Sequence, residues 1–274
     1  MTLKLRNRWI KSFFFFSIFC IASVSICFVY SIIKNTILPP PDFKYPDFFK
    51  DFPALKTNFY ATITSLLLFM LYVPAMTHFL FKYFENTHAT EVIYYTMFLL
   101  GSLAEIMRLV TISFGLWQTF SDGLILFGRI VVFGRIIVTL SFLFASLLSD
   151  SDQRQNFGRN LMIMTALATF LATTLPLNTA RISSTGFVTI GFGSLFNSTR
   201  FLMIVITFMS FWIKASTIES DKYKKVAISY LILIFGYLTI TAADNFIYLV
   251  LGFSMLGIGS YFYLSNIHQH YWDY

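Results

Sequence analysis

Five ionisable side chains lie inside otherwise apolar runs of this chain: Glu105, Arg108, Arg129, Arg135 and Arg200. Each costs about 2.5–3.5 kcal/mol near the centre of a bilayer, so residues of this kind face a bundle interior, pair with one another, or mark a site. Their spacing predicts polar helix faces. Gly101, Ser102, Glu105 and Arg108 fall within roughly 120° of a helix circumference, as do Gly128, Arg129, Arg135, Thr139 and Ser146. Gly193, Asn197, Arg200 and Thr207 share a narrower stripe. Counting about 1.5 Å per residue from the outer end of each run puts Glu105 about 18 Å deep, Arg135 about 16, Arg108 about 13, Arg200 about 10 and Arg129 about 8. Glu105 and Arg135 are therefore level, and a buried pair between them, or between Glu105 and Arg108 one turn away, would neutralise one arginine.

Two kinds of chemistry fit this pattern. In the first, Arg108, Arg129, Arg135 and Arg200, with Glu105 and Asn197, line an outward-opening intramembrane pocket. Such a pocket would bind an anionic carboxylate, phosphate or lipid headgroup through the bidentate geometry of guanidinium. In the second, Glu105, Arg135 and Asp244 are interhelical staples and Arg129 snorkels to the headgroups. Arginines outnumber acids within the runs, which leaves positive charge for carbonyls, lipid or a ligand to satisfy.

The elements that position these residues follow from composition. The 274 residues are 57% hydrophobic and 12% charged, against about 45–50% and 25% in soluble domains. The fold class predicted is an all-α polytopic bundle, with apolar runs at about 12–33, 58–81, 92–116, 124–148, 160–177, 188–213, 225–243 and 245–265. These eight spans divide the chain into a basic N-terminus and first span (1–34), an external Pro/aromatic loop (35–57), a seven-helix bundle (58–265) and a tail (266–274). The first run exceeds a typical signal-peptide core of about 7–15 residues, has no small-residue cleavage site, and is read as retained.

Lys4, Arg6, Arg8, Lys11, Lys82, Arg154, Arg159, Lys214, Lys222, Lys224 and Lys225 fall on one side of these spans, against Lys34, Lys44, Lys50, Lys56 and Arg181 on the other. The positive-inside rule then puts both termini in the cytoplasm. The net charge of +7 is accounted for by topology and anionic headgroups, so no nucleic-acid partner is implied. A plasma or bacterial inner membrane suits helices of this length better than an outer membrane. The loop Pro39 to Pro53, with five aromatics among prolines and alternating charge, reads as a lid or an interfacial segment.

Other motifs carry less. His268-x-His270 with His88 is a poor metal set, lacking cysteines or clustered acids, and His78 reads as interfacial. Asn197-Ser198-Thr199 matches the glycosylation pattern but falls in a span. Cys20 and Cys27, seven residues apart on one helix, are packing residues that cannot bridge each other. Gly252 and Gly259 share a face and predict close helix packing. Pro74 and Pro176 kink or end helices. The echo Phe127-Gly128-Arg129-Ile130 and Phe133-Gly134-Arg135-Ile136 is too short to be a repeat.

The apolar interiors of spans 7 and 8 hold no lysine for a retinal Schiff base. Metalloprotease, serine-hydrolase and Walker motifs are lacking, so neither a cofactor nor an enzymatic activity is assigned. The reading is a receptor-like membrane protein that binds an anion and acts through a cytoplasmic or membrane protein partner, by way of Lys222-Tyr223-Lys224-Lys225 and the tail His268 to Tyr274. The alternatives are an anion transporter or channel, disfavoured by the lack of repeats and broken helices, and a structural or accessory subunit held by polar staples.

Overall fold

In a bilayer the backbone must satisfy its own hydrogen bonds, so long apolar runs fold as helices. A computed structural model describes residues 3–40, 57–87, 89–118, 122–148 and 157–272. The element order is α1 (Leu3–Ile33), α2 (Phe59–Phe84), α3 (Glu91–Ala104), α4 (Met107–Ser113), α5 (Asp122–Leu147), α6 (Phe157–Thr174), β1 (Leu177–Ile182), β2 (Val188–Ile190), α7 (Gly193–Thr217), α8 (Asp221–Thr241) and α9 (Phe246–Trp272). Seven segments are long and apolar enough to cross a membrane: α1, α2, the α3–α4 pair, α5, α7, α8 and α9. The chain is a multi-pass bundle of membrane helices. The loop role read into Pro39 to Pro53, and the positions of His88 and Arg154, fall wholly or mainly outside the described residues.

The α3–α4 segment is the axis of the bundle, with 89% of its most apolar window buried, whereas α1 is only 17% buried and turns most of its surface outward. Small residues let the central helices meet. A Cβ on Gly101 of α3 would lie 2.5 Å from the Gly134 carbonyl of α5, and one on Gly134 would lie 2.5 Å from Ala104 Cβ. The α8–α9 pair is built the same way: a Cβ on Gly236, Gly252 or Gly259 would lie 2.4–2.6 Å from backbone nitrogen of the facing helix. The close packing expected at Gly252 and Gly259 is therefore present, driven by van der Waals contact between backbones that have no side chain between them.

Three expectations are corrected. Helix α1 begins at Leu3, ahead of the apolar run, because Arg6 is buried and donates to the carbonyls of Phe84, Glu85 and Thr87 at the end of α2. The run from 188 does not start a span: Val188–Ile190 pairs antiparallel with β1 and α7 begins only at Gly193. The polar stretch Asn178 to Gly186 cannot extend α6, and the turn closes at Gly186 (φ +72°), where Ser183 accepts from the amides of Gly186 and Phe187.

Third, the span from 92 to 116 is not one regular helix. From Ser102 to Leu109 the amides of Glu105, Ile106, Arg108 and Leu109 bond three residues back, at 2.9–3.2 Å, which is 3₁₀ geometry. No glycine or proline stands at the break itself, so nothing local signals it.

The β1–β2 hairpin defines one end of the bundle. Leu177 and Val188 lie against Gly128 near the start of α5, and the Gly186 turn rests on Ile112 of α4. The other end carries the first turns of α1 and the last of α9, where Tyr271 meets Glu91 at the start of α3. Helix α6 is short and has Arg159 and Asn160 in its first turn, yet Met164, Ala168 and Ala172 pack along Val132, Ile136, Ile137 and Leu140 of α5.

Candidate functional site

Glu105 sits at the break between α3 and α4 and is fully buried. Arg135 approaches side-on from α5, with Nε 2.8 Å from Oε1 and Nη2 3.3 Å from Oε2. The Gly101–Gly134 contact lies one turn away and sets the helix separation that lets this pair form. Tyr237 of α8 donates to Oε1 at 3.0 Å. Arg108, on the first turn of α4, places Nε 3.0 Å from Oε2, off the line of a hydrogen bond. Its Nη1 donates to the carbonyls of Thr241 (2.9 Å) and Thr185 (3.3 Å), the latter in the hairpin turn.

Arg200 enters from α7 within electrostatic reach of Tyr237, Arg135 and Glu105. It is 8% exposed, and neither its Nε nor its Nη2 has a hydrogen-bond partner; Arg108 Nη2 is likewise buried and unpartnered. Three guanidiniums thus converge on one carboxylate, leaving two positive charges without an acid among the described residues. Aromatic faces supply part of the compensation: Phe187 of the hairpin lies 3.8 Å from the Arg135 guanidinium carbon, and Phe196 lies 5.5 Å from that of Arg200.

Of the residues expected to form the site, Glu105, Arg108, Arg135 and Arg200 come together. Arg129 and Asn197 are exposed on the outer faces of α5 and α7 and stay apart from the cluster. Asp244 is not a staple to an arginine among the described residues. It accepts from Ser184 of the hairpin at 3.2 Å and from Asn245 at 3.4 Å, and burial raises its carboxyl above the usual aspartate range. The predicted pocket does not stand open, because the hairpin covers it through Thr185, Phe187 and the Ser184–Asp244 contact.

A second polar centre was missed by sequence reading. Glu91, just ahead of the third apolar run, is completely buried at the opposite end from the hairpin. Its carboxylate accepts from Tyr223 (3.1 Å) and from Tyr271 (2.9 and 3.1 Å). Tyr223, Tyr230 and Tyr237 recur every seven residues on one buried face of α8, so a single helix donates to both Glu91 and Glu105, about 21 Å apart along its axis. That tyrosine spacing was the available signal. Between them lie a bonded trio, Tyr72 with Tyr95 (2.9 Å) and Ser260 (2.6 Å), and the buried, unbonded hydroxyls of Tyr230 and Tyr263.

Replacing Tyr223 and Tyr271 together by Phe is expected to destabilise the purified protein by about 1.5–3 kcal/mol for each hydrogen bond lost to the carboxylate. Scanning fluorimetry reads this as a lower unfolding midpoint. An unchanged midpoint would mean that these hydroxyls do not hold Glu91.

No group of three His, Cys, Asp or Glu side chains is placed to hold a metal among the described residues. His268 packs edge-on against Phe84, and His270 against Tyr223 and Tyr271. No protein-family model, curated protein or solved structure matches the chain.

Proposed function

We propose that the cluster of Arg108, Arg200 and the Arg135–Glu105 pair is an anion site, and that the protein is a receptor-like membrane protein signalling its occupancy to a partner. The observation that carries the reading is the set of buried guanidinium nitrogens, Nη2 of Arg108 and Nε and Nη2 of Arg200, that have no acceptor. A buried donor left unmet costs about 1–3 kcal/mol, more when charged, and guanidinium donors suit a carboxylate or a phosphate. Glu105 and Arg135 then act as the staple that fixes the site and Arg108 and Arg200 as its binding arms. Entry requires the hairpin to swing away from Arg108 and Asp244. Release of that contact is the change a partner would sense.

We read the topology as eight spans with both termini cytoplasmic. Helix α6 makes the eighth crossing because it runs beside α5 over about 27 Å, and its C-terminal end leads into the hairpin. With eight crossings the basic N-terminal turn and the Lys222 to Lys225 stretch share a side, in accord with the positive-inside rule. The partner would dock on that cytoplasmic side.

One observation favours the transporter alternative. The irregular backbone at Glu105 lies deep in the bundle and lines the proposed site, as interrupted helices do at the substrate sites of secondary transporters. The accessory-subunit reading draws on the saturated Glu105–Arg135–Tyr237 contacts.

The test is thermal unfolding of the detergent-purified chain against inorganic phosphate, small carboxylates and short-chain anionic lipids, which separate a free anion from a headgroup. A concentration-dependent rise of the midpoint is expected, and its loss in Arg200→Gln. Anion uptake into sealed vesicles then separates transport from reception. No rise with any anion, with Arg200→Gln as stable as the parent or less so, would leave only the staple.

A further inference from the structure

A groove of about 370 Å³ lies between α1 and α3 near the terminal end of the bundle, lined by Leu5, Arg8, Trp9, Phe13, Phe16 and Met97, among others. We infer that it holds an acyl chain of an anionic glycerophospholipid whose phosphate is bound by Arg8. The α1 residues recur at intervals of three and four, so one face of the helix forms one wall. Phe13 (6% exposed) and Met97 (2%) form the apolar floor, while Leu5, Trp9 and Phe16 are about half exposed and make the rims.

The groove exists because α1 is fixed at two distant points. Arg6 grips the carbonyls at the end of α2, and Ser31 donates to the Ser113 carbonyl at 2.5 Å at the far end. Between these anchors the helix stands off α3 opposite Thr96, Met97 and Leu100.

Charge selects the occupant. Arg8 is exposed two residues from Arg6, hence at the level where α2 ends, and Lys4 stands one turn away on the same face. An apolar trough with paired cations at its mouth matches a chain with an anionic headgroup, and a neutral lipid would gain only the apolar part. Length fits as well. From Arg8 to Phe16 the groove runs about 12 Å along the helix axis, close to the roughly 15 Å of one hydrocarbon leaflet. Trp9 sits at the mouth, where amphipathic rings favour the headgroup level. This site is separate from the arginine cluster, which is at the hairpin end and buried.

The full chain, reconstituted in bilayers of equimolar phosphatidylglycerol and phosphatidylcholine and released into mild detergent, is tested by native mass spectrometry of the retained lipid. Preferential retention of phosphatidylglycerol is expected. Arg8→Gln should lower it about fivefold, the factor for one basic residue near an anionic surface. Ser12→Trp, at an exposed groove position, should lower retention of both lipids by filling the trough. Lys225→Gln, which removes equal charge from exposed α8 surface, should leave retention unchanged. Equal retention of the two lipids by the parent chain, or the same preference in Arg8→Gln, overturns the assignment and leaves a non-selective lipid annulus.

Discussion

Glu105→Gln is expected to destabilise the protein by about 3–5 kcal/mol, the penalty typical of removing one partner from a buried charge pair. Here the loss exceeds one pair. Glu105 is the acid for Arg135 at 2.8 Å and for Arg108 at 3.0 Å, and it accepts from Tyr237, so the substitution leaves three guanidiniums together without a counter-charge. The fall appears in the unfolding midpoint of the purified protein. The double variant Glu105→Gln, Arg135→Met should recover part of it, since removing both partners of a buried pair is far less costly than removing one. If Glu105→Gln instead proves as stable as the parent, the carboxylate is not the counter-ion of the cluster. Rescue of Glu105→Gln by added phosphate would in turn support the anion reading, because an anion replaces the missing charge.

Gly134→Leu is expected to have a comparable or larger effect, through packing and not charge. A Cβ at this position would stand 2.5 Å from Ala104 Cβ and 2.6 Å from the Gly101 carbonyl, and both are held by backbone. No rotamer relieves the clash, so α5 has to move from α3. Overpacking typically costs about 1–3 kcal/mol, and the full Leu side chain puts this case at or above the upper end. The displacement has a second reading. Arg135 is one residue further along α5 and Ala104 one residue before Glu105, so separating the helices also lengthens the ion pair. Any protein recovered should show a lower midpoint and no anion response. Gly158→Ala, in the first turn of α6 with open space around its Cβ, is the matched control and should be neutral or slightly stabilising. Equal behaviour of the two variants would show that the α3–α5 contact does not govern the site.

The sequence by itself determined the membrane character of the chain, most helix limits within a few residues, and the common depth of Glu105 and Arg135. Those follow from local quantities: hydropathy over a span length, and the fixed rise and rotation of a helix, which put two residues at one depth on facing stripes. Gly252 and Gly259 were legible for the same reason.

What the tertiary structure decided is everything that depends on which neighbour satisfies a group. Arg200 and Asn197 share a stripe in the sequence, yet only Arg200 turns inward, because the position of α5 and α8 fixes which edge of α7 is covered. Arg129 and Arg135 echo each other in sequence and end in opposite environments, six residues placing one at an exposed face and the other against Glu105. Phe187 to Ile190 are as apolar as a helix start, but the Gly186 turn pairs Val188–Ile190 with β1 and makes them part of a hairpin whose Thr185 carbonyl and Phe187 ring complete the cluster. Glu91 lies just ahead of the predicted third run, and it is buried only because Tyr223 and Tyr271, distant in the chain, close over it. Burial and hydrogen-bond satisfaction are properties of the assembled bundle, and no window of sequence contains them.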